Sequence, residues 1–331
     1  MKKAILLIMI LINSSTILFA YQYESNTNET KPNYLEETLE ILVRNVKEKA
    51  IEKGIEIIID KGTEFINNRI EIEIEIKILN SYIKEKKEKE AYQLLTKLIY
   101  EKKINDKYIP YYYIKLSYIS SDIYDAIKYL EIVITSYPNS KYFNLAYMLK
   151  HFYKGTINFH QGKYYDAVEN FEIAVNLSPN DEIVLFSLGI SYFMCEDFYN
   201  AINYLERAVN LNPNNEEYLL VLGVSYFRYS DYPNAIYFLN KLININPNNH
   251  NAVAWLGNSY LYNKNYNKAI IYIKRAILLE PYISGYYVVL GDIYSAKNNY
   301  IEAKKAYKNA LQIDPNNEEA MEKINNLYAE Y

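Results

Sequence analysis

The side chains best suited to metal binding or nucleophilic catalysis are few and scattered. The chain has three histidines and one cysteine: His151, His160, His250 and Cys195. His151 and His160 lie nine residues apart, but no histidine has the spacing to cysteines or paired carboxylates that a zinc site needs. Cys195 lacks the partners of an activated thiol. We therefore expect surface or groove histidines, a half-buried free thiol, no metal site and no catalytic residue.

Glycine-rich loops that bind phosphates are also missing. The sequence contains no P-loop, no dinucleotide-binding glycine cluster and no HExxH or GxSxG motif. Instead, five glycines, five prolines and five alanines each recur at a constant interval of 34 residues. The glycines are Gly155, Gly189, Gly223, Gly257 and Gly291, the prolines are Pro179, Pro213, Pro247, Pro281 and Pro315, and the alanines are Ala167, Ala201, Ala235, Ala269 and Ala303. Such a period predicts a stacked repeat array, and the missing motifs predict no cofactor.

Each repeat reads as two amphipathic helices, for example in Glu182–Asn215. Apolar residues recur at helical spacing in two runs that a short turn separates. Pro213 ends the second helix because it lacks an N–H group and its ring clashes with the preceding turn. Asn214 or Asn215 caps the next helix. A glycine inside a helix costs about 1 kcal/mol relative to alanine, so we expect Gly189 to lie where two helices approach closely.

These units resemble tetratricopeptide repeats. In the four units that begin at Glu182, Glu216, His250 and Ser284, Tyr follows the Leu-Gly pair by three residues, an aromatic residue precedes Ala by three, and Pro closes the unit. The first of the five repeats departs, with Lys154 and Asn158 in place of the expected Leu and Tyr. The resemblance implies an all-α solenoid, a right-handed superhelix of antiparallel helix pairs.

The remaining segments are interpreted from composition and periodicity. Lys2 and Lys3 precede an apolar run, Ala4–Ile12, which is typical of a secretory signal peptide ending near Ala20. An uncleaved membrane anchor is the alternative. The predicted organisation is a signal peptide at 1–20, a disordered linker at 21–33, N-terminal helices at 34–71, degenerate repeats and the start of a long helix at 72–147, five repeats at 148–317 and a capping helix at 318–331.

One short segment carries conflicting signals. Ile70–Ile76 alternates Ile and Glu strictly, as a half-buried strand does. A lone strand in a helical array would leave both of its edges unpaired, and the following apolar residues continue at helical spacing. We therefore predict a helix there. A second, longer helix is predicted from about Lys141 to Gln161, between the stop at Tyr137–Ser140 and the first regular repeat.

The resemblance also implies where a ligand binds, because tetratricopeptide repeats usually hold ligands on the concave surface lined by their first helices. The corresponding residues here are Leu149, Phe152, Thr156, Phe159, Ile183, Phe186, Ile190, Phe193, Leu220, Val224, Phe227 and Asn258. Binding and internal packing remain open alternatives for the aromatic end. Of the residues that clamp an acidic tail in chaperone-binding members, only Asn258 has a match, which argues against that ligand.

These observations predict an exported, non-enzymatic scaffold, periplasmic or associated with the cell envelope, that binds a peptide or helical segment of a protein partner. A net charge of −4 and a pI near 5.7 argue against nucleic acid. A structural, self-associating envelope component is the alternative, and the oligomeric state stays open. Glycan or peptidoglycan binding through the 39 tyrosines is a third, weaker interpretation, because abundant Tyr, Ile, Asn and Lys share a compositional cause.

Overall fold

The computed structural model describes residues 72–329, with side chains as far as 327. This part of the chain contains fifteen α-helices and no strand, so the predicted all-α solenoid is confirmed. None of the described helices is long and apolar enough to cross a membrane. The predictions for the signal peptide, the linker and the helices of 34–71 lie outside the described residues. The chain divides into two units at Ile104, which we take separately.

The described part of the first unit is a helix hairpin. It comprises α1 (72–84) and α2 (Glu88–Tyr100), so the helix predicted for the Ile-Glu alternation is confirmed from residue 72 onwards. Glu75 lies on the inner face of α1 and is 8% exposed. Its carboxylate accepts hydrogen bonds from Lys97 (2.6 Å) and Lys103 (3.1 Å). Burial raises the pKa of Glu75, but the two lysines outweigh burial and lower the pKa overall.

The second unit starts at Asn105 with a 3₁₀ turn, Asp106–Tyr108, and continues as helix hairpins. Its helices are α3 (Ile109–Ile119), α4 (Ile123–Ser136), α5 (Phe143–His160), α6 (Tyr164–Leu177), α7 (Glu182–Met194), α8 (Phe198–Leu211), α9 (Glu216–Arg228), α10 (Tyr232–Ile245), α11 (His250–Tyr262), α12 (Tyr266–Leu279), α13 (Ser284–Ala296), α14 (Tyr300–Ile313) and α15 (Glu318–Ala329). The predicted long helix is α5, within two residues of its expected ends.

Side-chain caps explain where many of these helices begin. The side chain of Asn215 accepts from the backbone N–H groups of Glu217 and Tyr218 at the start of α9, which confirms the predicted cap. Asp181 does the same for α7, and Asp197 caps α8. The caps satisfy N–H groups that have no partner within the helix.

The turn between the two helices of a repeat uses a left-handed residue. The φ angle there is +74° at Gly162 and +61°, +66°, +61° and +60° at Glu196, Ser230, Lys264 and Asn298. The next backbone N–H then bonds back into the first helix, as Asp197 does to the Tyr192 carbonyl at 3.0 Å. Four of these five turns therefore place a residue with a side chain in a conformation that favours glycine.

The periodic glycines lie at the crossing of the two helices, as expected. A methyl group added to Gly189 would lie 2.7 Å from the Leu205 Cγ atom, and Gly155, Gly223, Gly257 and Gly291 face α6, α10, α12 and α14 in the same way. Consecutive helices pack along the unit, and successive first helices also contact each other, from α5 to α7, α9, α11 and α13. The first helices of the regular repeats therefore form one continuous surface.

Candidate functional site

The most apolar part of this surface belongs to α7. Residues 183–194 (IVLFSLGISYFM) contain no charged side chain. Val184, Leu185 and Leu188 point into the core and are buried. On the other side, Ile183 is 55% exposed and Met194 is 40% exposed, and the residues between them on this side are half-buried. We call Ile183, Phe186, Ile190, Phe193 and Met194 the apolar strip, which extends about 16 Å along the helix at 1.5 Å per residue.

The predicted groove residues differ in exposure. Leu149 is 7% exposed, which favours internal packing for that residue. The other eleven are half-buried or exposed: Phe152, Thr156, Phe159, Ile183, Phe186, Ile190, Phe193, Leu220, Val224, Phe227 and Asn258. Phe152 also packs on the buried Phe171 of α6, with ring centroids 5.6 Å apart. Packing and solvent exposure thus coexist on this face.

Three groove phenylalanines share one packing role at the turns. The last turn of a first helix places a Phe ring against the first aromatic residue of the following helix in three successive repeats. The pairs and their centroid distances are Phe159–Tyr164 (5.4 Å), Phe193–Phe198 (5.5 Å) and Phe227–Tyr232 (5.6 Å). One side of each Phe ring therefore stabilises its hairpin. The other side of the ring is partly exposed and forms part of the first-helix surface.

Phe186 links the apolar strip to the next repeat. Its ring stacks on Tyr218 of α9 with centroids 4.4 Å apart. Tyr218 is buried, and burial, followed by the charges of Glu182, Glu217 and Asp181, raises its pKa. These carboxylates therefore lie close to one end of the strip.

A second aromatic cluster lies where the repeats of α9 and α11 meet. The Phe227 ring lies 5.2 Å from Trp255 and 5.3 Å from Tyr262, and Tyr262 stacks on Tyr232 at 5.6 Å. Trp255 is the sole tryptophan of the chain, and Tyr262 is 55% exposed. The sequence-based list of groove residues omitted Tyr262 and Met194. Met194 directly follows Phe193, which the resemblance assigned to the groove, and Tyr262 lies four residues after Asn258, one helical turn further along the same helix.

The surface becomes polar at α13. Asp292, one of the first-helix positions of the last repeat, accepts a hydrogen bond from the Tyr307 hydroxyl and another from the Lys323 ammonium group, each at 2.7 Å. Burial and the bond to Asp292 raise the pKa of Tyr307. This end of the first-helix surface presents charges that are already paired within the chain.

The histidines and the cysteine are spread along the array: His151 and His160 lie on α5, Cys195 follows α7 and His250 begins α11. The Nδ1 atoms of His151 and His250 lie 3.0 Å from the Asn170 amide oxygen and 2.7 Å from the Tyr286 hydroxyl, respectively. Cys195 is half-buried, and burial together with Asp197 raises the pKa of its thiol, which disfavours the nucleophilic thiolate. Among residues 72–329, no group of three or more His, Cys, Asp or Glu side chains is arranged to hold a metal ion.

Comparison with protein families decides the type of repeat. A family model for the tetratricopeptide repeat matches residues 183–215, which span α7, α8 and the turn before α9. The model for the anaphase-promoting complex, cyclosome, subunit 3 matches residues 228–310. The chain contains tetratricopeptide repeats. Arrays of stacked repeats form extended binding surfaces, and this fold supports a protein-interaction scaffold.

Solved structures with tetratricopeptide repeats resemble parts of this chain. The crystal structure of MamA protein is 25% identical, covers 51% of this chain and 92% of its own, and gives a TM-score of 0.47. MamA 41-end from Desulfovibrio magneticus RS-1 gives 18% identity, 52% and 97% coverage and a TM-score of 0.49. YrrB, a tetratricopeptide repeat protein with an unusual peptide-binding site, is 16% identical, covers 59% of this chain and 98% of its own, and gives a TM-score of 0.49. A comparison with curated proteins found no match.

Proposed function

We propose that this protein is an exported, non-enzymatic scaffold that binds a peptide or helical segment of a partner protein on its first-helix surface. The observation that carries the proposal is the apolar strip of α7. A helix as apolar as α7 is ordinarily buried on all sides. Here Ile183 and Met194 at the two ends of the strip are exposed to solvent. A row of exposed and half-buried apolar side chains is typical of a site that a partner covers.

The spacing within the strip suits a helical ligand. Ile183, Phe186, Ile190 and Phe193 follow one another at intervals of three, four and three residues. They therefore form a straight row of side chains along α7. Helices that dock into apolar grooves present anchors at the same spacing. The aromatic rings also supply large apolar contact areas at little cost in side-chain entropy, as in other protein interfaces.

The direct test is to remove the strip and measure partner capture. We expect the double variant Phe186→Ala and Phe193→Ala to reduce crosslinking to partner proteins in cells at least about tenfold, because central aromatic residues dominate binding energy. A second variant, Ile183→Ser with Met194→Ser, alters exposed side chains and preserves the rings that pack against Tyr218 and Phe198.

The matched control is Tyr165→Ala with Tyr199→Ala, which removes exposed aromatic residues from second helices. Circular dichroism should show native helical content in each variant. If both strip variants capture partners as well as the control does, the strip is not the binding site.

Export is proposed from the Lys2-Lys3 pair and the apolar run that follows it. Cell fractionation and the mass of the purified protein test it directly. We expect the protein in the periplasmic or envelope fraction with residues 1–20 removed. Full-length protein in the cytosolic fraction would contradict export.

Self-association is a second candidate, favoured by apolar side chains on the opposite face. Tyr237, Ile271 and Leu278 on the second helices α10 and α12 are 62%, 64% and 83% exposed. Light scattering of the mature protein and of a form without residues 21–106 measures the oligomeric state. A mass of one chain at all concentrations in both forms would exclude this candidate.

A further inference from the structure

The two ends of the apolar strip differ in charge. At the end next to Ile183, Asp181 caps α7 and Glu182 begins it, and Glu217 lies in the first turn of α9 directly before the buried Tyr218. Their proximity to the strip is direct, because the Tyr218 ring stacks on Phe186. A group of negative charges attracts a positively charged ligand and repels a negatively charged one.

Within the described chain, no positively charged side chain is paired with this acidic end, although Arg207 donates to the Pro179 carbonyl nearby. Among residues 72–329, neither a lysine nor an arginine nor a histidine forms an ion pair with Asp181, Glu182 or Glu217. Asp181 accepts from two backbone N–H groups as a helix cap, and Glu182 accepts from the Asn212 amide at 3.3 Å. These bonds are to neutral groups: the N-termini of α7 and α9 offset part of the negative charge, and no positively charged side chain is paired with it.

The other end of the strip carries less net negative charge, because its two carboxylates, Glu196 and Asp197, lie near one cation, Arg228. Beyond Met194, Glu196 lies 3.7 Å from the Arg228 guanidinium group, which also lies over the Phe198 ring. Between the two ends, residues 183–194 present no charge at all. A ligand that covers the middle of the strip must therefore be apolar there, because burying a charge without a partner costs several kcal/mol.

We propose that the ligand of the apolar strip is a helix of about three turns whose apolar face covers the strip and whose lysine or arginine side chains meet Asp181, Glu182 and Glu217. This inference rests on the proposed function and adds the chemistry of the partner to it. The length follows from the extent of the strip, and the position of the basic residues follows from the acidic end, whose carboxylates form no ion pair within the described chain. A partner segment with acidic residues at that end is correspondingly rejected.

Synthetic peptides test the charge preference. We would prepare fluorescent, end-capped helical peptides of about four turns with one common leucine face, carrying a pair of Lys, Gln or Glu residues in the first turn or in the last turn. Both positions are needed because either orientation along α7 is allowed. In fluorescence anisotropy at low salt, the better Lys peptide should bind about tenfold more tightly than the matching Glu peptide, and the difference should shrink as salt screens the charges.

The decisive variant is Glu182→Gln with Glu217→Gln, which keeps an acceptor for Asn212 and removes two charges. We expect it to reduce the Lys-over-Glu preference to about threefold or less. The control Glu169→Gln with Glu322→Gln removes two exposed carboxylates from α6 and α15 and should leave the preference unchanged.

The outcomes separate this inference from the function on which it rests. Equal binding of Lys and Glu peptides, or a preference that survives Glu182→Gln with Glu217→Gln, overturns the charge assignment. If Ile183→Ser with Met194→Ser still weakens every peptide in that case, the strip remains the binding site. If no peptide binds, the inference about the ligand is wrong. The proposed function is then tested independently by partner crosslinking in cells.

Discussion

The hairpins α7–α8 and α13–α14 occupy equivalent places in their repeats, yet they present different surfaces. Gly189 in α7 faces Leu205, and the adjacent groove position is Ile190. Three repeats later, Gly291 faces Tyr307, and the adjacent groove position is Asp292. The tyrosine ring takes the place of the leucine, and its hydroxyl donates to Asp292.

This comparison shows how one scaffold carries either an apolar or a polar groove. The glycine permits close helix contact in both hairpins. The residue opposite it differs: Leu205 brings no polar atom to the groove side of α7, whereas the Tyr307 hydroxyl reaches Asp292 on α13. In α13, the Lys323 side chain from α15 completes the polar group by binding Asp292. In α7, the described residues present no such polar group on the strip, and the surface stays apolar.

The largest expected effect comes from closing the space at the glycine. Gly291→Ala should lower the free energy of unfolding by about 2–3 kcal/mol, because its methyl group meets a buried ring that is held by Asp292. Gly189→Ala should cost less, about 1–2 kcal/mol, because a leucine side chain adapts more easily than a hydrogen-bonded ring.

Urea unfolding followed by circular dichroism measures both variants. The control is Gly285→Ala in the first turn of α13, where an added methyl group contacts nothing within 4 Å. It should stabilise the protein by about 0.5–1 kcal/mol through helix propensity. A loss for Gly285→Ala as large as that for Gly291→Ala would contradict the packing explanation.

A smaller effect concerns Tyr307 of α14 at alkaline pH. Burial and Asp292 raise the pKa of Tyr307 above the ordinary value of about 10. The folded state therefore favours the neutral phenol, and this stabilisation is complete below about pH 10 and is lost as the pH rises towards the raised pKa. Tyr307→Phe should cost about 1–2 kcal/mol at neutral pH and should lose less stability at alkaline pH than the parent protein.

Urea unfolding at a series of pH values between about 8 and 11 tests this expectation. A single tyrosine changes the free energy of unfolding by at most about 1.4 kcal/mol per pH unit. Tyr165→Phe, at an exposed position on α6, is the control. If the Tyr307→Phe protein loses as much stability at alkaline pH as the parent, Tyr307 does not carry this pH dependence.

The smallest effect concerns the turns of the same two hairpins. Glu196 and Asn298 both adopt positive φ angles, +61° and +60°. Asn tolerates this conformation better than Glu, because its short side chain bonds locally to the backbone. Glu196→Gly should therefore stabilise the protein by up to about 1 kcal/mol, and Asn298→Gly should have a smaller effect. Thermal unfolding of both variants compares them, and an equal or reversed order would refute the explanation.

Much of the fold follows from local rules that act within one repeat. Pro213, Gly189 and Asn215 each predicted a local feature that the structure shows, because a helix stop, a close contact and a cap depend on neighbouring residues. The alternation of Ile and Glu around Glu75 was ambiguous, because isoleucine-rich segments occur in both helices and strands. Its burial depends on Lys97 and Lys103, which lie more than twenty residues away.

The candidate site was less predictable than the fold. The resemblance assigned the first-helix positions, and eleven of the twelve lie on accessible or half-buried surface. Leu149 is buried. Phe193 belongs to the strip and also packs against Phe198, which depends on how the two helices of the hairpin meet. The position of Glu217 near the strip depends on how one repeat is placed on the next.

The amino-acid sequence by itself determined the repeat length, the helical class and the residues at which helices begin, turn and end. Those features depend on backbone geometry and on contacts within about 34 residues, which a single repeat contains. Only the tertiary structure decided which side of α7 stays exposed and which charges remain unpaired. Exposure and ion pairing depend on atoms from neighbouring repeats, so the spacing along one helix does not determine them.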